Sequence, residues 1–209
     1  MAKGVRPPPN EARPSDSPRE LPAEHLVSAI KNRLLQVAAL YGPGTGTLRV
    51  RLHRWRGVKI GDGVHIGTDV ILETAYPQWI SLGNGVSIGT RTTILAHIHG
   101  LPPRREQWDA YLSVRIEDDA NLGAGVLVLP NVTIGHGAVV SAGSVVTRSV
   151  PPLTMVQGNP AQPIAKCGVP LAWDTPLKEF LRHLRPLGGD STGTAAFIDG
   201  LASGAKPRP

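Results

Sequence analysis

From Ile60 onward an aliphatic residue returns at every sixth position through the centre of the chain. The sites are Ile60 and Ile66, then after a shift of register Leu82, Ile88 and Ile94, and after a second shift Ile116, Leu122, Val128, Ile134, Val140 and Val146. Four residues beyond each stands a small or β-branched residue, from Val64 and Val70 through Thr92 and Ala120 to Ser144 and Val150. One residue beyond it glycine recurs, at Gly61, Gly67, Gly83, Gly89, Gly123 and Gly135. So short a period, sustained for so long, is the mark of a solenoid. Six residues suit one short strand plus one corner, with the first and fifth positions pointing inward and the sixth outward. Three such faces close a triangular coil of about 18 residues, and coils stack at ~4.8 Å through parallel ladder bonds. The expected fold is an all-β solenoid, a parallel β-helix with a thin aliphatic interior.

The flanks read differently. Residues 1–20 are rich in Pro and charge and are expected to lack fixed structure. Residues 21–56 form a helical lead-in, in which Leu26, Ile30, Leu34, Val37 and Ala38 recur at helical spacing before Gly42, Pro43 and Gly44 stop the helix. Such a helix is expected to close one end of the solenoid. The repeat occupies residues 57–166. Its register breaks mark two excursions, near Thr74–Trp79 and between Gly100 and Ser113, and segments that leave a rigid scaffold commonly carry function. Residues 167–187 are an extension with a short helix across Pro176–Leu184, and 188–209 a Gly-, Ser- and Ala-rich tail expected to lack fixed structure.

Composition narrows the partners. Lys and Arg number 22 against 16 Asp and Glu, for a net charge of +6, so anionic partners are favoured. A phosphorylated small molecule fits. No nucleic-acid-binding module has its spacing here, so no nucleic-acid partner is expected. The densest basic stretch, Arg49, Arg51, His53, Arg54, Arg56 and Lys59, leaves peripheral membrane contact open. Cys167 is the single cysteine, so no internal disulfide can form. No signal peptide and no apolar run of ~20 residues is present, and the cytoplasm is the expected location.

Four phrases carry a family resemblance: GVKIGDGVHIG, LGNGVSIGTRTTILAHIH, GAGVLVLPNVTIGHGAVVSAGSVVTRSVPP and GNPAQPIAKC. With them the stretch from Gly57 to Lys166 resembles the hexapeptide-repeat acyltransferases, and most closely the branch of maltose and galactoside acetyltransferases and polysaccharide O-acetyltransferases. The resemblance implies a left-handed β-helix, although the general rule for crossovers favours the right hand. With the flanking helices it gives a prism capped by helices at its N- and C-terminal ends. It further implies a homotrimer with clefts between neighbouring prisms. The implied activity is transfer of an acetyl group from acetyl-CoA, without a metal, to a hydroxyl of a saccharide or glycoconjugate, as in polysaccharide biosynthesis.

Site residues follow by position. His99 takes the family's catalytic slot, and His97 stands two residues earlier at a corner. An imidazole suits the task, because a hydroxyl attacks a thioester well only as its proton is removed by a base near neutrality. Backbone N–H groups would then hold the developing oxyanion. The resemblance puts CoA contacts at Ala124, Ala142 and Thr147, with Arg148 and Lys166 meeting phosphates. Where the family often has Trp, this chain has Asn121, so the wall at the acceptor or thioester differs. Trp108 and Tyr111 offer an apolar shelf for a sugar ring. His65 and His136 are expected to be solvated surface residues. The competing readings are O-acetylation of a small molecule such as an antibiotic or amino acid, a catalytically silent β-helix scaffold, and a γ-type carbonic anhydrase. The last needs three histidines on zinc at separations that His97 and His99 do not match.

Overall fold

The computed structural model describes residues 26–97 and 113–187. The expectations placed on residues 1–20, on most of the 100–113 loop and on 188–209 therefore lie outside the described residues. Two helices come first, α1 (Leu26–Tyr41) and α2 (Leu48–Arg56). Twelve short strands follow: β1 (Lys59–Ile60), β2 (His65–Ile66), β3 (Ile71–Leu72), β4 (Ile80–Leu82), β5 (Ser87–Ile88), β6 (Thr93–Ile94), β7 (Val114–Ile116), β8 (Asn121–Leu122), β9 (Leu127–Val128), β10 (Thr133–Ile134), β11 (Val139–Val140) and β12 (Val145–Val146). The described residues end with β13 (Thr154–Gly158), β14 (Ala161–Cys167), helix α3 (Leu177–His183) and β15 (Leu184–Pro186).

Every third strand joins the same sheet. Side A is β1-β4-β7-β10, side C is β3-β6-β9-β12, and side B begins β2-β5-β8-β11 before continuing through β13, β14 and β15. The pairs along the prism are all parallel, with Ile60 opposite Leu82, Ile66 opposite Ile88 and Leu72 opposite Ile94. This is the three-sided parallel coil that the six-residue period requires. Ile66, Ile94, Val128 and Ile134 are wholly buried in one aliphatic column, as are Val86, Thr92, Ala120 and Ala138 at the small inward corners. Leu72 extends the hexad one site further than the sequence reading placed it, and the first excursion begins directly after it.

The glycines one residue beyond the inward sites answer to stacking. A Cβ on Gly67 would stand 2.6 Å from the Thr90 nitrogen, and one on Gly123 2.5 Å from that of Ala142. The following coil leaves no room there. Two positions later the corner turns through the left-handed region, which Asp69, Arg91, Asp119 and Asn131 enter as well as glycines.

The first coil has no coil before it, so its outer carbonyls need donors. Arg49 supplies them to Ile66, and to Ala39 and Gly42 of the preceding turn. Gln36 donates to the Val70 carbonyl, and Arg56 to those of Leu72 and Glu73. Arg56 also donates to the Gln36 side-chain oxygen. The two helices thus satisfy carbonyls of the free edge with side chains, while the amides of Ile66 and Asp69 donate to the backbone carbonyls of Thr45 and Leu40.

The flanking helices differ in how they meet the prism. The apolar positions of α1 do not face the prism: its buried residues are Ala29, Asn32, Gln36 and Ala39, while Ile30, Leu34 and Val37 are exposed. Close approach to a carbonyl-lined edge calls for small residues and donors there, not for leucine. The C-terminal end, against expectation, is not closed by a helix. A β13–β14 antiparallel hairpin with β15 prolongs side B, and α3 buries Phe180 in a separate cluster with Val139, Met155, Cys167 and Leu184.

His53 lies wholly buried between the two cap arginines, accepting from Arg56 at Nδ1 (3.0 Å). Burial, then the charges of Arg56 and Arg49, push its pKa down to about 3. A base depressed on folding adds stability above its unfolded value near 6.5 and loses it as the pH falls below that value. The unfolding free energy measured in urea should therefore drop by about 1 kcal/mol per pH unit on acidification below pH 6.5, and His53→Gln should flatten that slope.

Candidate active site

The first excursion and the second leave the prism at the same edge, the corner between sides C and A, one coil apart. Glu73 follows Leu72 in β3, and the register of Leu72 with Ile94 brings it beside Ala96 and His97. Its side chain is 1% exposed, and it accepts hydrogen bonds from the backbone N–H groups of Ala75 (2.9 Å) and Ala96 (2.9 Å). His97 Nδ1 stands 2.7 Å from the Glu73 Oε2, with the imidazole 13% exposed. Tyr76 packs its ring against the same imidazole edge-on at 5.6 Å, and Trp79 stacks on Tyr76 at 4.2 Å. Thus the Thr74–Trp79 excursion builds an aromatic wall beside the histidine.

The electrostatics fix roles. Burial alone would raise the Glu73 carboxyl, but the hydrogen bond from His97, those from the Ala96 and Ala75 amides, and the charge attraction of His97 together hold it below the ordinary carboxylate value. The group is thus anionic near neutrality. Its contribution to stability is present above the unfolded carboxylate range and is lost only as the pH falls through the depressed value. An anion at Oε2 obliges Nδ1 to carry the proton, so Nε2 is the basic nitrogen of the ring. A histidine anchored at one nitrogen by a buried carboxylate is oriented in a way that general-base chemistry can use.

The other sequence-derived residues fall into groups. Thr147 and Arg148 are exposed on this C–A edge, two coils beyond His97 and so roughly 10 Å along the stack. Arg148 makes no hydrogen bond or ion pair among the described residues. Ala124 and Ala142 are exposed on the opposite border of side C, at the corner with side B. Lys166 projects from β14 and donates to the Thr154 hydroxyl (2.8 Å). Asn121 lies on the outer face of side B, under the returning C-terminal segment, and donates to the Leu171 carbonyl (3.4 Å). His65, on the same face, is stacked under Trp173 at 4.2 Å, so it is not simply solvated. His99, Trp108 and Tyr111 lie outside the described residues. Among the described residues no three His, Cys, Asp or Glu side chains converge as a metal site.

Glu73 escaped the sequence reading. The available signal was an acid placed directly after an inward leucine, one coil ahead of the paired histidines, where a shift of register begins.

Known proteins share this architecture. The family profile for bacterial transferase hexapeptide (six repeats) matches residues 113–148. YvoF of Bacillus subtilis, provisionally named an acetyltransferase, is 34% identical over 135 residues, which cover 65% of this chain and 76% of that protein. The chain belongs to the hexapeptide-repeat transferase family. Other members give shorter matches. A galactoside O-acetyltransferase of Lactococcus lactis is 37% identical over 48% of this chain and 51% of its own length, and serine acetyltransferase 4 of Arabidopsis thaliana 36% identical over 55% and 31%. This hexapeptide transferase therefore spans about half or less of the length of several curated relatives. Among solved structures, the hexapeptide-repeat acetyltransferase VCA0836 of Vibrio cholerae in complex with acetyl-coenzyme A superposes with a TM-score of 0.55 at 28% identity, over 69% of this chain and 90% of that one.

Replacing Glu73 by Gln should leave the coil folded but release the ring. Ring ¹⁵N shifts of His97 should report a single Nδ1–H tautomer in the parent chain and a mixture of tautomers in Glu73→Gln.

Proposed function

We propose that this protein transfers an acetyl group from acetyl-CoA to a hydroxyl of a saccharide or glycoconjugate, with His97 as general base and Glu73 as the carboxylate that orients it. The observation that carries this reading is the 2.7 Å contact of His97 Nδ1 with a buried, anionic Glu73 at the edge from which both excursions leave. His97 Nε2 takes the proton of the acceptor hydroxyl as its oxygen attacks the thioester carbonyl carbon. The imidazolium so formed faces the Glu73 charge, which stabilises it without accepting its proton. When the carbon–sulfur bond breaks, the proton passes from Nε2 to the departing CoA sulfur. The base is restored.

Acetyl-CoA as donor is supported by the VCA0836 complex and by the positive balance of the chain. Arg148, exposed and without a described partner, is suited to a phosphate of the cofactor. Ala124 and Ala142 on the other border of side C give a pantetheine arm close access to backbone groups. Within one chain these two columns are a full side apart. Prisms packed side by side in a trimer would set the one column against the other, and we infer that the cleft forms in this way. The saccharide acceptor rests on the galactoside O-acetyltransferase match. An amino-acid hydroxyl is the second reading, favoured by the serine acetyltransferase match.

Thiol release from acetyl-CoA, measured with a panel of oligosaccharides, nucleotide sugars, serine and hydroxylated antibiotics, decides the acceptor. His97→Ala should lower transfer by roughly 10²- to 10⁴-fold. His99, the other candidate base, is tested beside it: a loss of that size in His99→Ala with His97→Ala unaffected would overturn the assignment to His97.

A further inference from the structure

Helix α1 turns its apolar side away from the protein. Leu26, Val27, Ile30, Leu34, Val37 and Tyr41 are between 52% and 79% exposed. Val27, Ile30, Leu34, Val37 and Tyr41 follow one another at alternating steps of three and four residues, so with Leu26 they form a single stripe about 100° wide along the helix. The packed residues Ala29, Asn32, Gln36 and Ala39 occupy the opposite side. Because that side closes the free end of the prism, the stripe points outward from the end of the stack. Six such side chains expose several hundred Å² of apolar surface, the range in which a patch marks an interaction site.

The charges around the stripe decide what it fits. Helical geometry sets Lys31 on one border and Arg33 on the other, both exposed and neither paired among the described residues. From Leu26 to Gly61 the chain carries seven Lys or Arg and no Asp or Glu. On α2, Arg51 and Trp55 are exposed as well. A second copy of α1 would bring its own Lys31 and Arg33 to the same seam, with no acid in either helix to answer them. An anionic bilayer surface offers what both features need: an acyl boundary for the stripe and negative headgroups for its borders. No helix among the described residues is long and apolar enough to cross a membrane, so the contact is peripheral.

We propose that the outward face of α1, with Lys31 and Arg33, docks this protein on an anionic lipid surface. The docking is independent of the acetyl-transfer reading. It would hold the α1 end of the prism against the bilayer, with the His97 edge running away from it.

The test is co-sedimentation of the full chain with vesicles of phosphatidylcholine alone or with about a third phosphatidylglycerol, at low and raised salt. Binding should be at least tenfold stronger to the anionic vesicles and should weaken with salt. Ile30→Glu/Leu34→Glu should bind at least tenfold more weakly with an unchanged melting temperature, since both positions are exposed. Lys31→Gln/Arg33→Gln, which leaves the stripe intact, should lose the preference for phosphatidylglycerol. Sedimentation velocity without lipid should give the same mass for all three proteins. Equal or absent binding to the two vesicle types overturns the proposal, as does unaltered binding by the charge variant. A drop in mass for the glutamate variant also overturns it, by making the stripe a seam between copies of the chain.

Discussion

A stack of parallel coils satisfies its backbone only between coils. At each end a row of carbonyls or amides faces nothing, and an unpaired buried carbonyl costs about 1–3 kcal/mol. The N-terminal end of this chain meets that constraint with long side chains: Arg49, Gln36 and Arg56 reach carbonyls from Ile66 to Glu73. Guanidinium groups suit the task because each offers five donors and no acceptor, so one residue can serve two or three carbonyls at once. Its own burial first, and then the two fixed positive charges that enclose it, keep His53 neutral.

The closure also reaches the chemistry. Arg56 holds the main chain at Leu72 and Glu73, the point where the chain leaves the prism for its first excursion. The Glu73 side chain then binds the amides of Ala75 and Ala96 and the ring of His97. The carboxylate is thereby fixed from its backbone outward to its oxygens before any substrate arrives. For the general base proposed above, such orientation means less freedom to lose on binding. The prism contributes its rigidity: the register of β3 with β6 fixes the separation between Glu73 of one coil and His97 of the next.

The hexad was legible in the sequence because burial in a coil this narrow permits few residue types, and the inward sites from Ile66 to Val146 are buried as their spacing demands. The end closure was not. Helical periodicity shows that α1 has an apolar side, but not which side meets the protein; only the carbonyl-lined edge, which selects Ala29, Asn32, Gln36 and Ala39, decides it. Glu73 was hidden for a related reason. It meets His97 across a gap of 24 residues closed by coil stacking, and the register shift on which this depends looks in sequence like an interruption. His97 was named from its place at a corner, whereas the contact that makes it basic at Nε2 is tertiary.

The outward stripe of α1 gains significance from what the fold does not require of it. Exposed positions usually contribute little to stability when substituted, and polar residues there would serve the closure equally well. The donors and small residues that seal the first coil are complete without any of the six apolar side chains. Scattered exposed leucines are ordinary on protein surfaces, but six residues held in one stripe, bordered by two cations in a stretch without a single acid, are not scattered. Self-association could use the apolar half of that pattern and would be opposed by the charged half. A negatively charged surface uses both, and an end-on orientation leaves the long edges of the prism, where the His97–Glu73 pair and Arg148 lie, clear of that surface.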